Sequence, residues 1–407
     1  MDKEKILIIT ILLIFISGFI LMGIYHKETK VTGAKGYASE WNDNHEMSSN
    51  FDAEQNQFLN NVVENRTTWP AGPVEGQIIY RTDQHTFYHW NGNIWVALQG
   101  PATVVVASDG SGMTTDIQEG IDMLPAGGGV VYIKEGNYVI TSSIDITVNN
   151  TTLIGSGLST KISTVANIIM INVTANEGIH LNKLYVYGTI LQANNVGVYF
   201  DDVDGGTIRD CRIEKCGSHA IQTNEGTYNL FSGDLIYDNR GAGVYMDGGV
   251  AGGGVYTISE CFISANHLSG VYSDDVSQIK VADSEVTLNH EYGIYLTNSN
   301  SAIITGGYIG ANYFNGIKLD TQDETIISNA MIYLSGFGHV GNPDGIFLVD
   351  SDDCTITSNI LRSNDNFAIN ISNAGCNNCI VVVNRYKNNV AGGLNDIGTG
   401  TEVAHNI

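Results

Sequence analysis

Four tyrosines, Tyr199, Tyr245, Tyr272 and Tyr295, stand at one place of a recurring phrase, and two residues after the first three come Asp201, Asp247 and Asp274. Aromatic rings stack on the apolar C–H faces of sugars while carboxylates accept hydroxyl protons, so aromatic and acidic columns side by side suit an extended polysaccharide. Repeated carboxylates also carry the means to cleave a glycosidic bond. If equivalent residues lie about 4.8 Å apart on successive units, Asp247 and Asp274 approach the roughly 5 Å separation of a retaining glycosidase. Asp201 and Asp247, two units apart, approach the inverting separation of roughly 6.5–9.5 Å. The expected catalytic pair is therefore Asp247 and Asp274, and the expected contact residues are Tyr199, Asp201, Tyr245, Tyr272 and Tyr295. Against this stands a purely structural reading, in which Tyr favours strands and Asp favours their ends.

These residues need an element that repeats them. The phrase is a small residue, an aliphatic, any residue and usually another aliphatic: GVYF at 197, AIQT at 220, GVYM at 243, GVYS at 270, GIYL at 293, GIKL at 316, GIFL at 345 and AINI at 368. The starts are 23, 23, 27, 23, 23, 29 and 23 residues apart, a period that signals stacked units burying their apolar sides against one another. Aliphatic residues at the second and fourth places alternate as in a strand, with both side chains inward. Further apolar residues recur eleven places after the start (Ile208, Phe231, Val281, Ile304, Ile327, Ile356, with Ile258 joining once four inserted residues are discounted) and five places after those (Ile213, Ile236, Ile263, Val286, Ile309, Ile332, Leu361). Three short strands per unit with no room for a crossover helix predict an all-β parallel β-helix in rungs of about 23 residues. Nineteen places after the start, once the four residues inserted in the 243 unit are discounted, stand Asn239, Asn266, Asn289, Asn312 and Asn364, with Cys216, Ser335 and Lys387 as exceptions. Asn tolerates the left-handed conformation of a sharp corner, and stacked amides bond along the stack, so these are expected to be corners.

The chain has 407 residues, 47 Gly and 5 Pro, which suits an elongated β protein. With 43 acidic against 19 basic residues the formal charge is −24, which argues against a nucleic-acid partner. An anionic polysaccharide would require a bridging cation or a local basic patch. Residues 6–25 form an apolar run long enough to span a bilayer and lack a small-residue cleavage site, so residues 1–30 are expected to be an uncleaved anchor rather than a signal. Residues 31–68 are polar, and Phe51, Gln55, Phe58, Val62 and Asn65 form a weak heptad suggesting a short coiled-coil stalk and a homotrimer. Residues 69–100 read as a small antiparallel module with strands at Ile78–Tyr80, Thr86–Tyr88 and Ile94–Val96 and a turn at Asn91-Gly92. Residues 101–407 are the β-helix. Sequons at Asn65, Asn150, Asn172 and Asn370 suit an extracellular or virion-surface location. The six cysteines define no framework; Cys354 with the CxxC of Cys376 and Cys379 suggests a disulfide, and neither a metal site nor a cofactor is expected.

The segments EWNDNH at 40–45 and YRTD…FYHWNGNIWVAL resemble viral tail-fibre and head-fibre proteins. From Ser108, DGSGMTTDIQEGIDMLPAGGGVVYIKEGNYVI followed by TTLIGSGLSTKI is similar to the opening of pectate-lyase-like right-handed β-helix proteins, phage tailspikes included. That resemblance covers roughly residues 105–390 and speaks for the fold more than for an activity. Within it, Thr115–Leu124 reads as a helix with Ile117, Ile121 and Leu124 on one face, able to cap the first rung. Polygalacturonases of this fold carry motifs like NTDGI, DDC and GHGI. Here Asn342-Pro343-Asp344-Gly345-Ile346 and Gly217-Ser218-His219-Ala220-Ile221 resemble the first and last, but they lie five rungs apart in reversed order, and Asp352-Asp353-Cys354 falls in a turn. Pectate lyases of this fold use calcium and an arginine base, and Arg209 and Arg212 do not lie on the Asp201 strand. His180, His290 and His339 each stand alone in the sequence.

The two longer repeats place a four-residue excess at Gly248–Gly254 and a six-residue excess at Phe337–Asp344, bordering the tyrosine face on both sides. The leading expectation is a surface-displayed spike or adhesin that binds polysaccharide through this face. The alternatives are a glycoside hydrolase or lyase on the same face, and a structural surface protein.

Overall fold

The computed structural model describes residues 63–82, 86–90, 92–97, 103–249, 253–338 and 341–407, together with the backbone of 24–25 and 46–47. From Thr103 onward the chain winds as a parallel β-helix of three sheets holding 13, 11 and 11 strands, each strand paired with its equivalent one turn away. The sheet that carries the tyrosines runs from Ile144–Ile146 through Val198–Asp201, Ile221–Asn224, Val244–Asp247, Val271–Asp274, Ile294–Thr297 and Ile317–Asp320 to Gly392–Asp396.

The core follows the aliphatic places of the repeat. Val198, Ile221, Val244, Val271, Ile294, Ile317, Ile346 and Ile369 are buried, as are the columns through Ile208 to Ile356 and Ile213 to Leu361. Each such side chain contributes about 1.5–3 kcal/mol by leaving water, and no other element is needed to cover it. The small residue that opens the phrase has a steric cause. A Cβ on Gly293 would lie 2.5 Å from the Gly316 carbonyl oxygen and 2.6 Å from Asn312 Nδ2, and one on Gly243 would lie 2.7 Å from the Gly270 carbonyl oxygen.

The asparagine ladder is present, with its amides bonded along the stack. Asn239 Nδ2 donates to Asn266 Oδ1 (2.9 Å), Asn266 Nδ2 to Asn289 Oδ1 (3.0 Å) and Asn289 Nδ2 to Asn312 Oδ1 (3.0 Å). The left-handed residue of each corner, however, is the one before the asparagine: Asp238, Ala265, Leu288 and Ala311 have φ of 55°, 54°, 57° and 51°. The asparagine is retained for its amide, which is buried and serves both rungs, rather than for its backbone freedom. Lys387 lies in the strand Arg385–Lys387, and the ladder continues at Asn389, whose Oδ1 accepts from Asn364 Nδ2 at 2.8 Å. A rung lengthened by two residues shifts the ladder there.

The cap helix is Ile117–Asp122, with Asp116 as N-cap accepting from the Glu119 N–H, and Ile117, Ile121 and Leu124 are buried. The antiparallel module pairs Ile78–Arg81 with Thr86–Trp90 and that strand with Trp95–Ala97. Ile94 lies in the turn, and Glu64–Arg66 adds a fourth strand, so Asn65 of the expected heptad belongs to a sheet. Phe51, Gln55, Phe58 and Val62 lie outside the described residues, as does nearly all of the apolar run 6–25, whose last two residues, Ile24–Tyr25, pair antiparallel with Glu46–Met47. Among the described residues no helix is long and apolar enough to cross a membrane.

All six cysteines are buried free thiols. Cys354 faces Cys379 on the next rung rather than Cys376, as the pairing of Thr355 with Ile380 requires, and the Cys376 thiol instead accepts from the Ser351 N–H at 3.5 Å.

Candidate functional site

Strand register sets the tyrosine column as Tyr199, Gln222, Tyr245, Tyr272, Tyr295, Lys318, Phe347 and Asn370 on successive rungs. The parallel column two residues along is Asp201, Asn224, Asp247, Asp274, Thr297, Asp320 and Val349. Both columns face outward, and most of their side chains are half-buried. The sequence therefore places its seven candidate residues on one face, with Tyr199 and Asp201 separated from the others by the Gln222–Asn224 rung.

The rings do not form the flat platform that alternation alone suggests. Tyr245 and Tyr272 stack on each other at 5.2 Å with planes 13° apart, and His219 lies on Tyr245 at 4.5 Å. Tyr295 meets Tyr272 edge-on at 5.2 Å and 79°, and Lys318 Nζ sits 4.3 Å from the Tyr295 ring centroid. Identical residues in register on parallel strands are held about 4.8 Å apart, close enough to stack on one another. Much of the ring surface is therefore occupied within the column.

The polar groups divide cleanly into donors and acceptors. Burial, followed by the Asp274 carboxylate, pushes the Tyr272 phenol up to about 12, and burial with Asp201 does the same for Tyr199. Burial also raises Tyr245, so these phenols keep their protons at neutral pH. Asp247 Oδ1 accepts from the Gly249 N–H at 2.9 Å, Asp274 Oδ1 from Asn298 Nδ2 at 2.9 Å and Asp201 Oδ1 from Asn224 Nδ2 at 2.7 Å. One oxygen of each carboxylate is thereby held in place. Burial lowers His219 to about 4, and its Nδ1 accepts from the Ala242 N–H at 3.0 Å, so the neutral ring carries its proton on Nε2.

Lys318 and Asp320 belong to the two columns, whereas Glu291 and Tyr292 reach this face from outside the repeated phrase. Glu291, raised by burial, accepts from Ser269 Oγ at 3.4 Å on the side where the strands begin. Tyr292 packs on Tyr295 at 4.9 Å. Lys318 Nζ lies 3.0 Å from Asp320 Oδ2 and donates to the Tyr295 hydroxyl, which in turn donates to Asp320 at 3.2 Å. The available signal was an aromatic directly before the phrase in Glu291-Tyr292-Gly293, which strand alternation does not weigh.

The other motifs have structural roles. Asp344 is buried and accepts from the Phe367 N–H and Asn370 Nδ2, while Asp352 accepts from the Asn377 N–H. Arg212 is occupied by Glu214 at 2.8 Å on a different sheet. His180 bonds Thr207 at 2.8 Å, and His290 is ring-to-ring with His267 at 4.8 Å; His339 lies outside the described residues. No group of three or more potential metal ligands occurs among the described residues.

A family model described as a right-handed β-helix region matches residues 249–407. Over those residues the chain matches a right-handed β-helix, in keeping with the parallel three-sheet stack of the whole solenoid. No curated protein sequence matches it. Among solved structures, this β-helix is similar to the A-module of the Azotobacter vinelandii mannuronan C-5 epimerase AlgE6, with 16% identity, 70% of this chain and 94% of that chain covered, and a TM-score of 0.60. It is also similar to the enzymatically active domain of tailspike protein 2 of bacteriophage CBA120, with 15% identity, coverage of 78% and 56%, and a TM-score of 0.56. For ORF18 of Geobacillus virus E2 the values are 17%, 85% and 74%, and 0.54. At such identities the likeness is one of fold.

Proposed function

We propose that this β-helix is a surface-displayed spike that binds polysaccharide through the face of Tyr199, Tyr245, Tyr272 and Tyr295 with Asp201, Asp247 and Asp274. The observation that carries the reading is the pairing, rung by rung, of protonated phenols with carboxylates: Tyr245 beside Asp247 and Tyr272 beside Asp274 on adjacent strands. A sugar hydroxyl both donates and accepts, so a row of fixed donors next to a row of fixed acceptors matches a hydroxyl-bearing chain laid along the helix axis. Two of the similar folds belong to an epimerase of the polysaccharide mannuronan and to a phage tailspike, and the first supports a glycan as the ligand.

The phenols and His219 serve this face as hydrogen-bonding groups rather than as general acids or bases. The phenols are pushed away from neutrality in the direction that keeps them protonated, and His219 is pushed in the direction that keeps it neutral with Nδ1 occupied. Neither is poised to exchange a proton near pH 7. If cleavage occurs, Asp247 and Asp274 are the pair to carry it. Membrane anchoring through residues 6–25 and a homotrimer complete the proposed display.

The test is Tyr272→Ala and Asp274→Asn in the full chain, assayed against a polysaccharide panel for retention and for released sugar. Tyr272→Ala is expected to lower affinity by about tenfold or more, from lost packing and a lost hydrogen bond. Unchanged retention would return the column to strand propensity. Sugar release that disappears in Asp274→Asn would establish the enzymatic alternative instead.

A further inference from the structure

We infer that the glycan taken by this face carries no carboxylate, an inference that rests on the glycan reading above and narrows it to uncharged or amine-bearing sugars. From the Val198–Asp201 strand to the Ile317–Asp320 strand, the outward columns hold Asp201, Asp247, Asp274 and Asp320 against a single cation, Lys318. Lys318 is already committed. Its Nζ pairs with Asp320 at 3.0 Å, donates to the Tyr295 hydroxyl at 3.2 Å and lies over the Tyr295 ring. Glu291 adds a further acid where these strands begin, and it is held by Ser269 rather than by a cation.

A carboxylate on the ligand offers acceptors only, so along the aspartate column it meets acceptors and like charge on every acidic rung. Asp247 and Asp274 are register partners on adjacent strands, so a third carboxylate placed over them has no site of opposite charge within the column. A hydroxyl loses nothing there, because it donates to the carboxylate and accepts from the phenol. An ammonium gains directly. The face thereby separates this chain from a mannuronan-modifying relative of the same fold, whose named polymer is built of carboxylate-bearing sugars.

The experiment measures retention of the full chain on three insoluble polymers, a neutral β-glucan, chitosan and alginate, at physiological salt with a chelator present, for the native protein, Tyr272→Ala and the double variant Asp247→Asn with Asp274→Asn. The expected result is retention on the glucan or chitosan at least about tenfold above alginate, with the double variant gaining on alginate while remaining folded by melting temperature. Alginate retained as well as the other two in chelator, or in a parallel arm with calcium in place of the chelator, overturns this inference and leaves the glycan reading standing. Retention of the native chain on none of the three removes both.

Discussion

Asp234 is a carboxyl group at a corner place that two later rungs fill with an amide. It is buried, its Oδ1 accepts from the Cys211 N–H at 2.8 Å, and its Oδ2 has no partner. At the equivalent place of later rungs, Asn359 and Asn384 accept from the rung before and also donate, to the Ile327 and Ile356 carbonyls at 2.9 and 2.8 Å. Burial raises the Asp234 carboxyl well above its ordinary value, so the folded state holds a proton that the unfolded chain releases near pH 4. A group of that sign stabilises the fold most below the unfolded value, and the contribution falls as pH rises above it. Asp234→Asn is expected to raise stability at pH 7 by about 1–3 kcal/mol, with a smaller gain at pH 4, as measured by denaturant unfolding. Equal gains at both pH values would mean that the native carboxyl is not the protonated group described.

The asparagine ladder is an element in its own right, since each amide closes a corner on one rung and supplies the acceptor for the rung before. Asn289 Oδ1 takes both the Asn266 N–H and the Asn266 amide, and its own Nδ2 donates to Asn312. Asn289→Ala leaves buried donors on Asn266 without a partner, at an expected cost of about 2–4 kcal/mol, whereas His290→Ala, on the exposed next residue, is expected to change stability by less than about 0.5 kcal/mol. Similar losses for the two variants would show that the ladder contributes little. The left-handed residues before each amide accept a backbone conformation that costs non-glycine residues energy, which the buried corner offsets.

At the scale of the whole molecule, the β-helix is a one-dimensional stack whose rungs gain stability from their neighbours, and the formal charge of −24 on the full chain keeps copies apart unless a dedicated contact joins them. The homotrimer proposed for display draws its support from the 51–65 heptad, of which Asn65 lies in a strand and the rest outside the described residues. Light scattering of the full chain at physiological salt is expected to give three times the chain mass of 43.9 kDa. A monomer over the whole concentration range would withdraw the trimer without touching the fold or the face.

Periodicity by itself determined the rungs, their three strands, the inward aliphatic columns and the outward Tyr and Asp columns, because side-chain direction alternates along a strand and a fixed repeat puts equivalent residues in register. It also located the cap helix, whose apolar face has one place to go. Only the tertiary structure decided what the columns became. Register brings Tyr245 and Tyr272 close enough to stack on each other, so their surfaces are partly spent within the column, and it brings His219, Glu291 and Tyr292 to a face whose phrase does not contain them. It assigned the left-handed conformation to the residue before each ladder asparagine and carried the ladder from Asn364 to Asn389 past Lys387. Most of those outcomes depend on contacts between successive rungs, where the deciding quantity is a distance across the stack and not a position along the chain.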